Sequence, residues 1–147
     1  MLYYIENESI KVAFSNKGGE MQSIINKSNG LEYLWQGNPE FWAGRAYNLF
    51  PICGRLTKGK YTYRGKEYEM NLHGFLRNTV MTVTKKEKDS ITFTISSDET
   101  TLAQYPFEFI FNLTYTIDGG KISTVFEVKN IGENVMYYAV GGHPGFN

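Results

Sequence analysis

Cysteine is nearly absent. The one thiol, Cys53, has no second sulfur with which to close a disulfide or build a zinc site, which excludes a disulfide scaffold and fits a reducing cytoplasm. Charge of one sign is missing as well. Fifteen basic residues stand against 15 acidic ones, so the chain lacks the basic footprint of nucleic-acid binding. No apolar run approaches the roughly 20 residues of a spanning helix, and MLYYIENESIKVAF lacks the basic-then-apolar layout of a signal peptide. Neither nucleic acid nor membrane is therefore expected as a partner, and a cytoplasmic location is. Linkers, low-complexity runs and internal repeats are lacking too, which leaves one domain or part of one. At 147 residues it should hide roughly 70% of the surface of its unfolded chain, so no structural metal is needed.

Aromatic side chains are abundant, with 11 Tyr, 10 Phe and 2 Trp. Flat rings suit the pleated face of a sheet, and they also stack on the apolar faces of sugars. Phe107 to Ile117 alternates apolar and polar residues with period two. Asp118-Gly119-Gly120 then supplies a tight turn, and Lys121 to Lys129 alternates again with Ile122, Thr124, Phe126 and Val128 on one face. The same logic pairs Thr79–Thr84 with Ser90–Ser96, Leu2–Glu6 with Ser9–Phe14, and Lys60–Tyr63 with Lys66–Met70, and adds a strand over Glu20–Asn26. Helix signals are scarce. Asn38-Pro39-Glu40-Phe41-Trp42 offers a cap, a proline at the first position and an acidic first turn, predicting one or two helical turns. The pattern predicts an all-β antiparallel sandwich or barrel.

Three stretches break the alternation: Asn48 to Leu56, Asn71 to Arg77, and Ala139 to Asn147. The only two histidines, His73 and His143, fall in the last two and are framed by glycine. Gly permits close backbone approach, and Pro144 biases His143 toward an extended conformation, so each imidazole could be held in a fixed direction. The plainer reading is that they cap turns or satisfy buried carbonyls. Arg55, in Pro-x-x-Gly-Arg, is either a fork of donors for sugar hydroxyls or a phosphate, or one half of a surface ion pair with Glu67 or Glu69. Arg77 has similar standing. Cys53, with no cationic neighbour or paired base in view, is read as an inert core residue.

Phe50-Pro51-Ile52-Cys53-Gly54-Arg55-Leu56, Gly59-Lys60-Tyr61, His73-Gly74-Phe75-Leu76-Arg77 and Gly141-Gly142-His143-Pro144-Gly145-Phe146-Asn147 occur in that order. Together they resemble the aldose 1-epimerase (galactose mutarotase-like) family, especially its LacX-type branch. The resemblance implies the β-supersandwich fold, a shallow carbohydrate cleft, no cofactor or catalytic metal, and interconversion of the α and β anomers of an aldose by acid/base ring opening. It implies that His143 is the acid, that His73 orients the sugar and stabilises charge at the ring oxygen, and that Arg55 holds hydroxyl or anomeric oxygens. Phe75 and Phe146 would flank the histidines as substrate-binding residues. The family's glutamate base and a sugar-binding acid would fall after Asn147. Residues 1–147 are accordingly expected to form the N-terminal portion of one mutarotase-like sandwich, nearly inactive alone and able to self-associate through open sheet edges. A hexose 6-phosphate mutarotase relative, or a non-catalytic sugar-binding sandwich, are the alternatives.

Overall fold

Alternation gives each long strand one apolar face, and the two largest sheets bury those faces against each other. The computed structural model describes residues 1–147. The chain runs β1 (Leu2–Glu6), β2 (Ile10–Ser15), β3 (Met21–Asn26), β4 (Ala46–Leu49), β5 (Lys60–Tyr63), β6 (Lys66–Glu69), β7 (Thr82–Lys86), β8 (Ser90–Ser96), the helix α1 (Glu99–Gln104), β9 (Phe109–Asp118), β10 (Lys121–Asn130) and β11 (Gly141–Pro144). One sheet has the order β1-β2-β3 and the other β10-β9-β8-β7, every pairing antiparallel. Two further ribbons, β5-β6 and β11-β4, complete the architecture.

The core lies between the two larger sheets. Phe14 of β2 sits 4.7 Å from the ring of Tyr115 on β9 and 6.0 Å from Phe93 on β8, ring centre to ring centre. Val12, Phe14, Phe93, Phe111 and Leu113 are wholly buried, each such side chain contributing about 1.5–3 kcal/mol of burial free energy. The two-residue turn Gly119-Gly120 sets Lys121 opposite Asp118, and that register carries Ile122 opposite Ile117 and Phe126 opposite Leu113. No helix is long and apolar enough to cross a membrane.

Three elements differ from the sequence reading. Asn38 does cap a turn, with its side chain accepting from the Glu40 N–H, but the turn ends at Phe41 instead of growing into a helix. Gly44 follows closely, and it is there because a Cβ would lie 2.5 Å from the Tyr47 ring. The α-helix is instead Glu99–Gln104, started by a reciprocal capping box between Asp98 and Thr101. Ala46–Leu49 and Gly141–Pro144, read as irregular, are strands that pair with each other.

That last pairing positions the site. Strand β4 is anchored from beneath by Asn48, a buried amide that donates to the carbonyls of Gly18 (2.9 Å) and Gly19 (3.2 Å) and to the Tyr115 hydroxyl (2.9 Å). Just past it, the Phe50 carbonyl accepts from the N–H groups of Phe75 (3.1 Å) and Leu76 (3.3 Å), which docks the His73 loop beside β4.

Candidate functional site

His73 occupies the left-handed region at φ 66°, uncommon for a side chain with a Cβ. It is held there by two hydrogen bonds to one residue: its N–H donates to the Gly54 carbonyl (2.8 Å), and the Gly54 N–H donates to its Nδ1 (3.0 Å). The next residue has no freedom to be anything but glycine. A Cβ on Gly74 would lie 2.2 Å from the Phe50 carbonyl oxygen, and its φ is 73°.

His143 lies on β11 opposite Tyr47 of β4. Its imidazole centre is 5.7 Å from that of His73 and 5.1 Å from the Trp42 ring. Trp42 in turn meets Tyr47 edge to face at 5.6 Å, and the Arg77 guanidinium lies over Tyr47 at 5.3 Å. Gly145 lets the indole approach, since a Cβ there would be 2.8 Å from the Trp42 ring. The Trp35 indole N–H donates to the Trp42 carbonyl at 2.8 Å and fixes the turn that carries it. One aromatic wall and two imidazoles therefore converge from four separate parts of the chain.

The two histidines are not equivalent. Burial, then the positive charge of Arg77, then His143 hold the His73 pKa below its ordinary 6.5, so the ring is neutral at pH 7. Because Nδ1 accepts from Gly54, the neutral ring carries its hydrogen on Nε2 and is a donor with a fixed tautomer. His143 is exposed and free of any such bond. The chain's ion pairs, Lys27–Glu6, Lys60 with Glu67 and Glu69, and Lys85–Glu87, involve neither ring. A constrained neutral donor beside an unconstrained imidazole can hold an oxygen and exchange a proton with it.

A family model described as aldose 1-epimerase matches residues 1–147, the whole chain. The chain belongs to the aldose 1-epimerase family. It is 39% identical over 153 aligned positions to the plasmid-encoded protein LacX of Lactococcus lactis subsp. lactis, covering all of this chain and 51% of that one. Among solved structures it superposes on a galactose mutarotase related enzyme from Lactobacillus acidophilus with a TM-score of 0.99 at 44% identity, covering 100% of this chain and 49% of that one. A galactose mutarotase-like protein from Lactobacillus casei gives 0.97 at 35% identity, with 100% and 50% covered. The fold is thus the galactose mutarotase-like one, and the chain spans about half the length of the curated relatives it matches.

Of the residues singled out from the sequence of this aldose 1-epimerase family member, the structure brings His73 and His143 together and places Arg55 nearby, exposed in a cleft shared with Lys58 and Arg77. Glu67 and Glu69, the ion-pair partners considered for Arg55, bind Lys60 instead. Phe75 is corrected. It is buried among Phe50, Tyr105 and Phe109 and has no face to offer a sugar. Phe146, exposed beyond the end of β11, borders a hollow with Ile24, Tyr33, Ile122 and Pro144. Cys53 is exposed rather than in the core, and partial desolvation of its thiol pushes the pKa up, away from a reactive thiolate. Sequence reasoning missed Trp42 and Tyr47. The signal that could have found them is Gly44 between two large rings, a place where glycine is demanded by crowding.

Proposed function

We propose that this chain presents the paired imidazoles of an aldose 1-epimerase site, which interconverts the α and β anomers of an aldose by opening and closing the pyranose ring. The observation that carries the reading is the 5.7 Å approach of His73 and His143, with His73 locked by Gly54 into the donor tautomer. In this reading the exposed His143 protonates the ring oxygen as the bond between that oxygen and the anomeric carbon breaks. His73 Nε2–H steadies the charge on that oxygen, Arg55 holds hydroxyls, and the exposed part of Trp42 stacks on the sugar face. Removing the anomeric hydroxyl proton requires a base as well. Glu67, Glu69 and Glu127 are exposed strand residues and Glu108 is exposed just before β9, and none lines the cleft that holds Arg55, so no base is assigned to them.

A second reading, sugar binding with little turnover by the 147-residue chain, draws support from there being no carboxylate among the residues brought to the histidine pair. Polarimetry of freshly dissolved α-glucose or α-galactose separates the two. The chain alone is expected to leave the rate near that of buffer. Joined to the second half of the Lactobacillus acidophilus relative, it should accelerate mutarotation, and His143→Ala in that chimera should remove about 10²-fold or more of the gain. A folded chimera with no acceleration overturns the catalytic reading. The unpaired ten-residue edge of β10, with Val125 exposed on it, supports association between copies.

A further inference from the structure

Glu20 stands on the turn between β2 and β3, half-buried and in none of the chain's ion pairs. A carboxylate taken partly out of water without a cation carries a desolvation cost that other contacts must offset. Here those contacts are amides. Its Oε1 accepts from two successive backbone N–H groups where β4 begins, those of Arg45 (2.9 Å) and Ala46 (3.0 Å). Its Oε2 accepts from the Gln22 side-chain amide (2.8 Å). Three donors with no acceptor among them suit an ionised carboxyl, which only accepts. The mount is rigid: the Gly18 N–H donates to the Thr79 carbonyl (2.8 Å), the Ser15 N–H donates to the Glu20 carbonyl (2.8 Å), and a Cβ on Gly19 would lie 2.6 Å from the Leu113 side chain. Asn48 ties the far half of β4 to the same turn through Gly18 and Gly19.

The two amides that Glu20 holds lie where two parts of the site meet. The Arg45 carbonyl accepts from the Gly145 N–H at 2.7 Å, and Ala46 is paired opposite Pro144, the residue after His143. Arg45 also closes the segment that carries Trp42, whose ring is 5.1 Å from that of His143. Both rings therefore reach the cleft through backbone that Glu20 pins. His73 does not, since its N–H and Nδ1 are bonded to Gly54. We infer that Glu20 is a positioning residue for His143: its carboxylate sets the start of β4, and through β4 it places His143 and Trp42 relative to His73. What that placement does for catalysis rests on the sugar reading above, whereas the placement itself can be tested without a sugar.

The test compares Glu20→Gln, which keeps the acceptor oxygen and removes the charge, with Glu20→Asp, which keeps the charge and draws the oxygen back by one methylene. NMR of the 147-residue chain gives one imidazole Cε1–H signal for each of its two histidines, and His143→Ala assigns them. In Glu20→Asp the His143 signal should move as the Trp42 ring current on it changes. Amide exchange at Gly145 should speed up about tenfold, the worth of one charge-assisted hydrogen bond. The His73 signal and exchange at Phe111 and Leu113 should not change. Glu20→Gln should leave the His143 signal near its original position. A His143 signal unmoved in Glu20→Asp, or moved equally in both variants, overturns the inference. So does a Glu20→Asp chain that fails to fold, or one in which His73 and the core amides change as much as His143. Glucose titration of the same samples tests the sugar reading separately, with binding to Glu20→Asp expected to be about fivefold weaker than to the unaltered chain. Equal affinity overturns the consequence for the sugar, and no response of either imidazole to glucose removes the sugar reading while the positioning of His143 stands.

Discussion

His73 and His143 face each other with ring planes inclined by 59° and centres 5.7 Å apart, although one sits in a strained turn and the other on a strand. The turn fixes one ring through Gly54, and β11, paired with β4, delivers the other. The asymmetry between a locked imidazole and a free one gives the pair its chemical interest, and it leads to the first expectation.

His73 should titrate below 6.5, and the sign of its effect on stability follows. Above the unfolded-state value of 6.5 both states hold it neutral and there is no penalty. As pH falls from there toward the lowered folded value, the unfolded chain takes up a proton that the folded one resists, and stability is lost. Proton NMR of the imidazole Cε1–H should give the depressed midpoint. His73→Asn should flatten the thermal-stability profile between about pH 7 and pH 5. A His73 midpoint at or above 6.5 contradicts the account.

Gly74→Ala should be severely destabilising. The added methyl would meet the Phe50 carbonyl at 2.2 Å, at a φ of 73° that alanine avoids. A loss of about 3 kcal/mol or more is expected in urea unfolding. Gly65→Ala, at φ 79° with open space around it, isolates the dihedral cost alone and should lose about 1 kcal/mol.

Asn48→Ala leaves the carbonyl of Gly18 without its side-chain donor and weakens the hold on Gly19, costing about 2–3 kcal/mol. Tyr115→Phe removes a hydroxyl that donates to Gly19, but the Asn48 amide still reaches that carbonyl, so the loss should be nearer 1 kcal/mol. Calorimetric melting should rank the two in that order; the reverse order would mean that the hydroxyl, and not the amide, anchors β4.

Light scattering behind size exclusion should show concentration-dependent association. Thr124→Lys, which sets a charge on the exposed inward face of β10, should shift the population toward monomer. A clean monomer at high concentration in the unaltered chain would count against edge pairing.

The hairpins were legible because alternation and turn chemistry are local: Asp118-Gly119-Gly120 and the flanking strands carry their own instructions. Strand β11 was not. Gly141, Gly142 and Pro144 are poor strand formers, and they extend only because Ala46–Leu49 lies opposite with its hydrogen-bonding groups open. Helix α1 escaped notice for a similar reason. Thr101 stands where a capping box usually has Glu or Gln, and the threonines around it weaken the helical pattern. At the site, the motifs pointed to both histidines, but nothing in an isolated Phe-containing motif distinguishes Phe75, which is buried, from Phe146, which is exposed. That distinction belongs to the packing of sheets brought together from distant parts of the chain.

The short ladder between β4 and β11 makes the histidine pair a late and separable achievement of folding. Its contacts join residues about two thirds of the chain apart, so loop-closure entropy is expected to delay them until the main sheets have formed. Once formed, four residues can detach while the sheets beneath stay intact, and amide exchange at Gly142 and His143 should report that opening well before global melting. Opening of that ladder alone would separate the imidazoles without unfolding the core, and the exchange experiment reads that local equilibrium.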